Sequence, residues 1–137
     1  MSQFQGHGAL SFDRIFLIGS PVKMKELIKE LREFAKERDW EQFHSPKNLA
    51  MALSVEVGEI VEIFQWLSQE ESKNLSGKKL EKIKEEIGDV MIFLTNLADK
   101  FGIDPVEAAK EKIKINRLKY PAELVKGKAN KYTEYDE

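Results

Sequence analysis

Two acidic runs carry a spacing that matters for chemistry. In SVEVGEIVEIFQW, residues 54–66, Glu56, Glu59 and Glu62 recur every three residues. In EEIGD, residues 85–89, Glu86 and Asp89 are again three apart. Residues at that spacing share one side of an α-helix. Clustered carboxylates are the hard oxygen ligands that Mg²⁺ and Mn²⁺ prefer. The chain has no cysteine and only two histidines, His7 and His44, which excludes thiolate chemistry and disfavours an imidazole-rich site. Any metal here is bound through oxygen.

The helices that carry these runs place the acids at the edge of the core. At about 100° per residue, with Glu56 at zero, Leu49, Leu53, Ile60, Phe64 and Leu67 fall within about 80° on one side. Ala52 and Ile63 fall within about 40° on the other. Glu56 thus lies inside the apolar stripe, Glu59 at its edge, and Glu62 outside it toward solvent. On the next long helix Ile83, Val90, Leu97 and Phe101 lie within about 60° of Glu86, and Glu85 points away. Burying unpaired carboxylates is costly, and a divalent cation removes the conflict. Solvated faces paired with nearby lysines are the competing reading, and these features alone leave both open. Gly58 and Gly88 sit inside the two helices, where glycine costs about 1 kcal/mol; a close helix–helix approach would account for both.

The rest of the chain reads as helices and short connections. Ser20-Pro21 and Ser45-Pro46 are helix starts, with serine as N-cap and proline in the first turn. The first helix runs to about Arg38 on the stripe Leu27, Ile28, Leu31, Phe34 and Ala35, and the second from about Pro46 to Leu67. The polar SQEESKNLSGK, residues 68–78, reads as a loop. A third helix runs from about Lys78 to Phe101 and stops at Gly102. Asp104-Pro105-x-Glu107 opens a fourth that reaches about Lys119. The expectation is an all-α, four-helix antiparallel bundle spanning residues 21–121. Residues 1–20 read as a poorly ordered leader or remnant, with FDRIFLIG as an alternative extended docking segment. Residues 122–137 read as an extended tail.

Composition narrows the function classes. The 137 residues suffice for one domain, and a net charge of −2 gives no electrostatic reason to bind a nucleic-acid polymer. No apolar run approaches a membrane span, no signal peptide is evident, and the absence of cysteine fits a reducing, cytoplasmic setting.

The acidic runs also resemble a family. EVGE and EEIGD are similar to the paired ExxE and ExxD motifs of the MazG-like, all-α nucleoside triphosphate pyrophosphohydrolases. FAKERDWEQFHSPKNLAMALSVEVGEIVEIFQW, INRLKYP and KANKYTE resemble its dCTP pyrophosphatase branch, and the resemblance spans about Lys25 to Glu134. It implies Mg²⁺-dependent cleavage between the α and β phosphates of a nucleoside triphosphate, dCTP or a 5-modified dCTP, to monophosphate and pyrophosphate. Mn²⁺ is a possible substitute. It implies Glu56, Glu59, Glu86 and Asp89 as metal ligands. A carboxylate not fully used in coordination would take the attacking water's proton, and Glu59 is expected in that catalytic role, with Glu56 beside it. Trp40, Trp66 and Phe43 would surround the base, with His44 and Phe93 nearby. Lys112, Asn116 and Arg117 would reach the phosphates or sugar, with Tyr120 alongside. A dimer, or a homotetramer built from dimers, is implied as the assembly. The chain departs from some members at Leu31, where they carry histidine, and at Phe93, where tyrosine is frequent; both departures bear on base and sugar preference. Other readings are a related enzyme for dUTP or phosphoribosyl-ATP, and a non-enzymatic helical nucleotide-binding or regulatory module.

Overall fold

The computed structural model describes residues 20–134, and every regular element among them is helical. They are α1 (Ser20–Glu37), α2 (Pro46–Phe64), α3 (Gln69–Ser72), α4 (Gly77–Lys100), α5 (Pro105–Lys119) and α6 (Ala122–Val125), with 3-10 turns at Glu41–Phe43 and Tyr132–Glu134. The leader, with its extended alternative, lies outside the described residues. The tail read as extended carries α6 and the second 3-10 turn.

Local chemistry sets the helix ends. Asp39 adopts the left-handed region at φ 54°. Its N–H donates to Lys36 O at 3.1 Å, and the Trp40 N–H donates to Ala35 O at 2.9 Å. Together these form the double-bonded C-terminal stop usually built on glycine, and they fix where Trp40 leaves the helix. Ser45 caps α2, its Oγ accepting from the Asn48 N–H at 3.2 Å. Inside the loop expected after α2, Ser68 and Glu71 form a reciprocal capping box that nucleates the single turn α3. Gly102, at φ 63°, ends α4, and its N–H and that of Ile103 close back on Asp99 O and Ala98 O. Asp104 opens α5 by accepting from the Val106 and Glu107 N–H groups at 2.8 and 3.2 Å.

The principal contact is α2 against α4, with α1 laid against α4 as well. The α1 contact is pinned by Arg32, whose Nε and Nη2 donate to the two carboxylate oxygens of Asp99 at 2.8 and 2.6 Å. That bidentate bond holds the Asp99 carboxyl below its usual range. Helix α5 touches α4 only slightly, and its residues from Glu107 onward are exposed. The close approach expected at Gly58 and Gly88 does not occur within the chain: a Cβ at either would meet nothing within 4 Å. Each glycine lies two positions, about 200°, beyond Glu56 or Glu86, on the side turned away from the α2–α4 contact.

Apolar burial is sparse. Among the described residues the buried apolar side chains are Met24, Ala35, Leu49 and Ile83. Val57 and Val61 on α2, and Leu80, Ile87, Met91 and Leu94 on α4, remain exposed, all on one flank of the helix pair by the same rotation. Leu49, 1% exposed, anchors the small core. Leu49→Ala is expected to cost about 3 kcal/mol through lost contacts and the cavity left behind, measured by denaturant unfolding.

Candidate metal centre

The α2–α4 contact draws the acids together. One carboxylate oxygen each from Glu56, Glu86 and Asp89 lies within 4.8 Å of the other two. Glu59 stands against this trio, close enough to bear on the protonation of both Glu56 and Glu86. Glu86 is 4% exposed. Its Oε1 accepts from Lys82 Nζ at 2.9 Å, while its Oε2 is fully buried with no hydrogen-bond partner.

Protonation follows from this crowding. The Glu56 carboxyl is pushed up to about 7, first by burial, then by its hydrogen bond with Glu59, then by the charges of Asp89, Glu59 and Glu86. Glu86 moves the other way, because the Lys82 hydrogen bond outweighs its burial, and Lys82 is raised in return. Lys82 keeps Glu86 ionised, and Glu56 meets the repulsion by holding a proton. A divalent cation satisfies the same set without that proton. The all-oxygen donors, the spacing of the trio and the orphaned Oε2 fit such an ion.

Two cavities flank the cluster on the same side of α4. One, of about 290 Å³, is walled by Leu31, Phe34, Trp40, His44, Ile92 and Phe93, with Asn96 and the cluster's Asp89 at its polar edge. Trp40 meets Phe34 edge-on at 5.8 Å between ring centroids and His44 at 6.4 Å. The other, of about 410 Å³, is lined by Glu62, Ile63, Trp66, Leu67, Lys78, Lys79 and Lys82.

The structure thus groups Glu56, Glu59, Glu86 and Asp89, and sets Trp40, His44 and Phe93 beside them. It places Trp66, 87% exposed, in the other cavity from Trp40. Phe43 is exposed on the turn before α2. Lys112, Asn116 and Arg117 are exposed on α5, and Tyr120 follows at its end; none of these four lines either cavity. Lys82, Ile92 and Asn96 were not singled out from the sequence. For Lys82 the signal was present: a lysine four residues before an inward glutamate meets it across one helical turn.

The model of the MazG-like family matches residues 51–135. The chain belongs to that family. This MazG-like chain is 45% identical over 118 residues to dCTP pyrophosphatase 1 of Homo sapiens, covering 84% of the chain and 69% of that protein. It is 40% identical over 121 residues to dCTP pyrophosphatase 1 of Bos taurus, covering 87% and 72%. A crystal structure of a pyrophosphatase from Archaeoglobus fulgidus superposes with a TM-score of 0.66 at 43% identity, covering 77% of this chain and 98% of that one.

The raised Glu56 carboxyl has a consequence for stability. The folded, metal-free protein holds a proton that the unfolded chain releases near 4.5, so folding is favoured at low pH and loses that support as pH rises to about 7. The Glu86 shift acts below its ordinary range and does not offset this. Melting temperature without metal is expected to fall between pH 5 and pH 8. Glu56→Gln is expected to flatten the fall, and added Mn²⁺ to raise the melting temperature more at pH 8 than at pH 5. Thermal unfolding across that range measures all three.

Proposed function

We infer that the chain is a nucleoside triphosphate pyrophosphohydrolase that cleaves the α–β phosphate bond of dCTP, with Mg²⁺ as its cofactor and Mn²⁺ as a substitute. The observation that carries this reading is the Glu56–Glu86–Asp89 trio, with its unpartnered buried oxygen, opening onto an aromatic cavity. The curated relatives named above support the substrate.

The residues divide the work. Glu56, Glu86, Asp89 and Glu59 hold the metal, which supplies Lewis-acid polarisation and screens phosphate charge. The flat face of Trp40 stacks the base, with His44 and Phe93 completing the wall. Glu59, in contact with the trio yet outside its tightest grouping, takes the proton of the attacking water. Water adds to the α phosphorus, the α–β bridging bond breaks, and pyrophosphate leaves with the bridging oxygen.

The working unit is a homo-oligomer, a dimer or a dimer of dimers. Its support is the shortage of buried apolar side chains beside the exposed flank of Val57, Val61, Ile87, Met91 and Leu94, more apolar surface than a lone small domain leaves open. A second copy on that flank completes the four-helix bundle. It also gives α5 a role: Lys112 and Asn116, which share a face, and Arg117 approach phosphates or sugar in the assembled site, with Trp66, Phe43 and Tyr120 at its margin.

Pyrophosphate release from a panel of canonical and 5-substituted triphosphates, with and without Mg²⁺, tests the activity; Mg²⁺-dependent release from dCTP is expected. Glu86→Gln is expected to lower turnover at least about 100-fold, since even groups that only support metal ligands cost about 10–100-fold when lost. Sedimentation equilibrium is expected to give a mass at least twice that of the 15.8 kDa chain. Full turnover in Glu86→Gln would contradict the metal assignment, and a monomeric mass the assembly.

A further inference from the structure

The lysines beside the acidic cluster are not used by the mechanism above, yet their placement is specific. With Glu86 at zero on α4, Lys82 falls at about −40° and Lys78 at about −80°, the side that also carries Asp89 at about −60° and Asn96 at about −80°. Along that side the order is fixed. The aromatic cavity at Asn96, Phe93 and Ile92 comes first, then Asp89 and Glu86, and then Lys82 and Lys78 with Lys79 around the second cavity. Lys82 belongs to both neighbourhoods. Its Nζ lies 2.9 Å from Glu86 Oε1, and its side chain, 55% exposed, also lines the second cavity. One helical turn of about 6 Å separates Lys82 from Glu86, within the swing of a four-carbon stem.

We propose that Lys82 is a substrate-positioning residue that pairs with Glu86 in the metal-free protein and turns to the β and γ phosphates when a divalent cation takes that carboxylate, with Lys78 and Lys79 completing an anion site for the pyrophosphate end. This rests on the pyrophosphohydrolase reading. The direction of the substrate follows. With the base against Trp40 and the α phosphate at the trio, the remaining phosphates run toward the N-terminal end of α4. A cation tied to a buried carboxylate is a counter-charge that a divalent ion displaces without leaving Glu86 unpaired. The freed ammonium then lies beside the β and γ phosphates, whose charge it holds in the bound substrate as in the released pyrophosphate. The same arrangement favours triphosphates over monophosphates, because only the former reach Lys82 from the trio.

The test uses the full chain with Lys82→Ala, Lys82→Arg and, as a control on α1, Lys29→Ala. Three quantities are read: the inhibition constant of inorganic pyrophosphate against dCTP hydrolysis, the separate kcat and KM, and the affinity for Mn²⁺ without nucleotide. In Lys82→Ala, pyrophosphate inhibition is expected to weaken and KM to rise at least about tenfold, the usual weight of a charge-assisted hydrogen bond, with kcat changed far less. Mn²⁺ affinity should rise, because a competing cation is gone. Lys82→Arg should restore most of the pyrophosphate affinity, and Lys29→Ala should match the parent. Unchanged pyrophosphate inhibition and KM in Lys82→Ala, or weaker Mn²⁺ binding, would overturn the proposal. If the parent binds no Mn²⁺ and releases pyrophosphate from no triphosphate, the underlying reading fails and takes the proposal with it, a result distinct from failure in the variant alone.

Discussion

Carboxylates from α2 and α4 are pressed together because the two helices make the chain's principal contact along the stripes that carry them. Much else in the molecule answers that repulsion. Lys82 neutralises one carboxylate, Glu56 holds a proton toward neutrality, and Glu86 leaves one oxygen with no partner in a buried place. A core built for stability alone would put leucine or isoleucine at these positions. Under the proposed function, a cation brought with the substrate would turn the repulsion into coordination.

The second theme is incompleteness. Helix α1 is pinned by the Arg32–Asp99 fork and leaves Trp40 on the cavity wall, so the aromatic cavity beside the cluster is built within one chain. The opposite flank of the α2–α4 pair is apolar and exposed, and α5 carries its basic residues away from the cluster. With so few apolar side chains buried among the described residues, little of the conformational entropy lost on folding them is recovered. The homo-oligomer proposed above would supply the missing contacts and join the stability of the fold to the assembly of the site.

Much of this was legible from periodicity. The 100° rotation put Glu56 and Glu86 within the stripes, Glu59 at the edge and Glu62 outside, and the structure keeps that order, with Glu62 exposed. The same rotation argues against the close approach expected at Gly58 and Gly88, since both lie opposite their stripes; the cost of a helical glycine was weighed without asking which way it faced. The stop after α1 was hidden because aspartate, not glycine, takes the left-handed position at Asp39. Turn α3 was passed over because its capping box is followed by no apolar run. The separation of Trp40 from Trp66 depends on which end of α4 each helix end reaches, which is tertiary information. The competing reading, acids paired with lysines, holds in part: Glu86 does meet Lys82, but only through one of its two oxygens.

The most direct test of the central claim, that the acidic cluster is a divalent-cation site, is calorimetric titration of Mn²⁺ into the metal-free protein at pH 8, beside Glu86→Gln. The account predicts saturable binding by the parent and its loss in the variant. Absence of binding by the parent, or equal binding by both proteins, would contradict it.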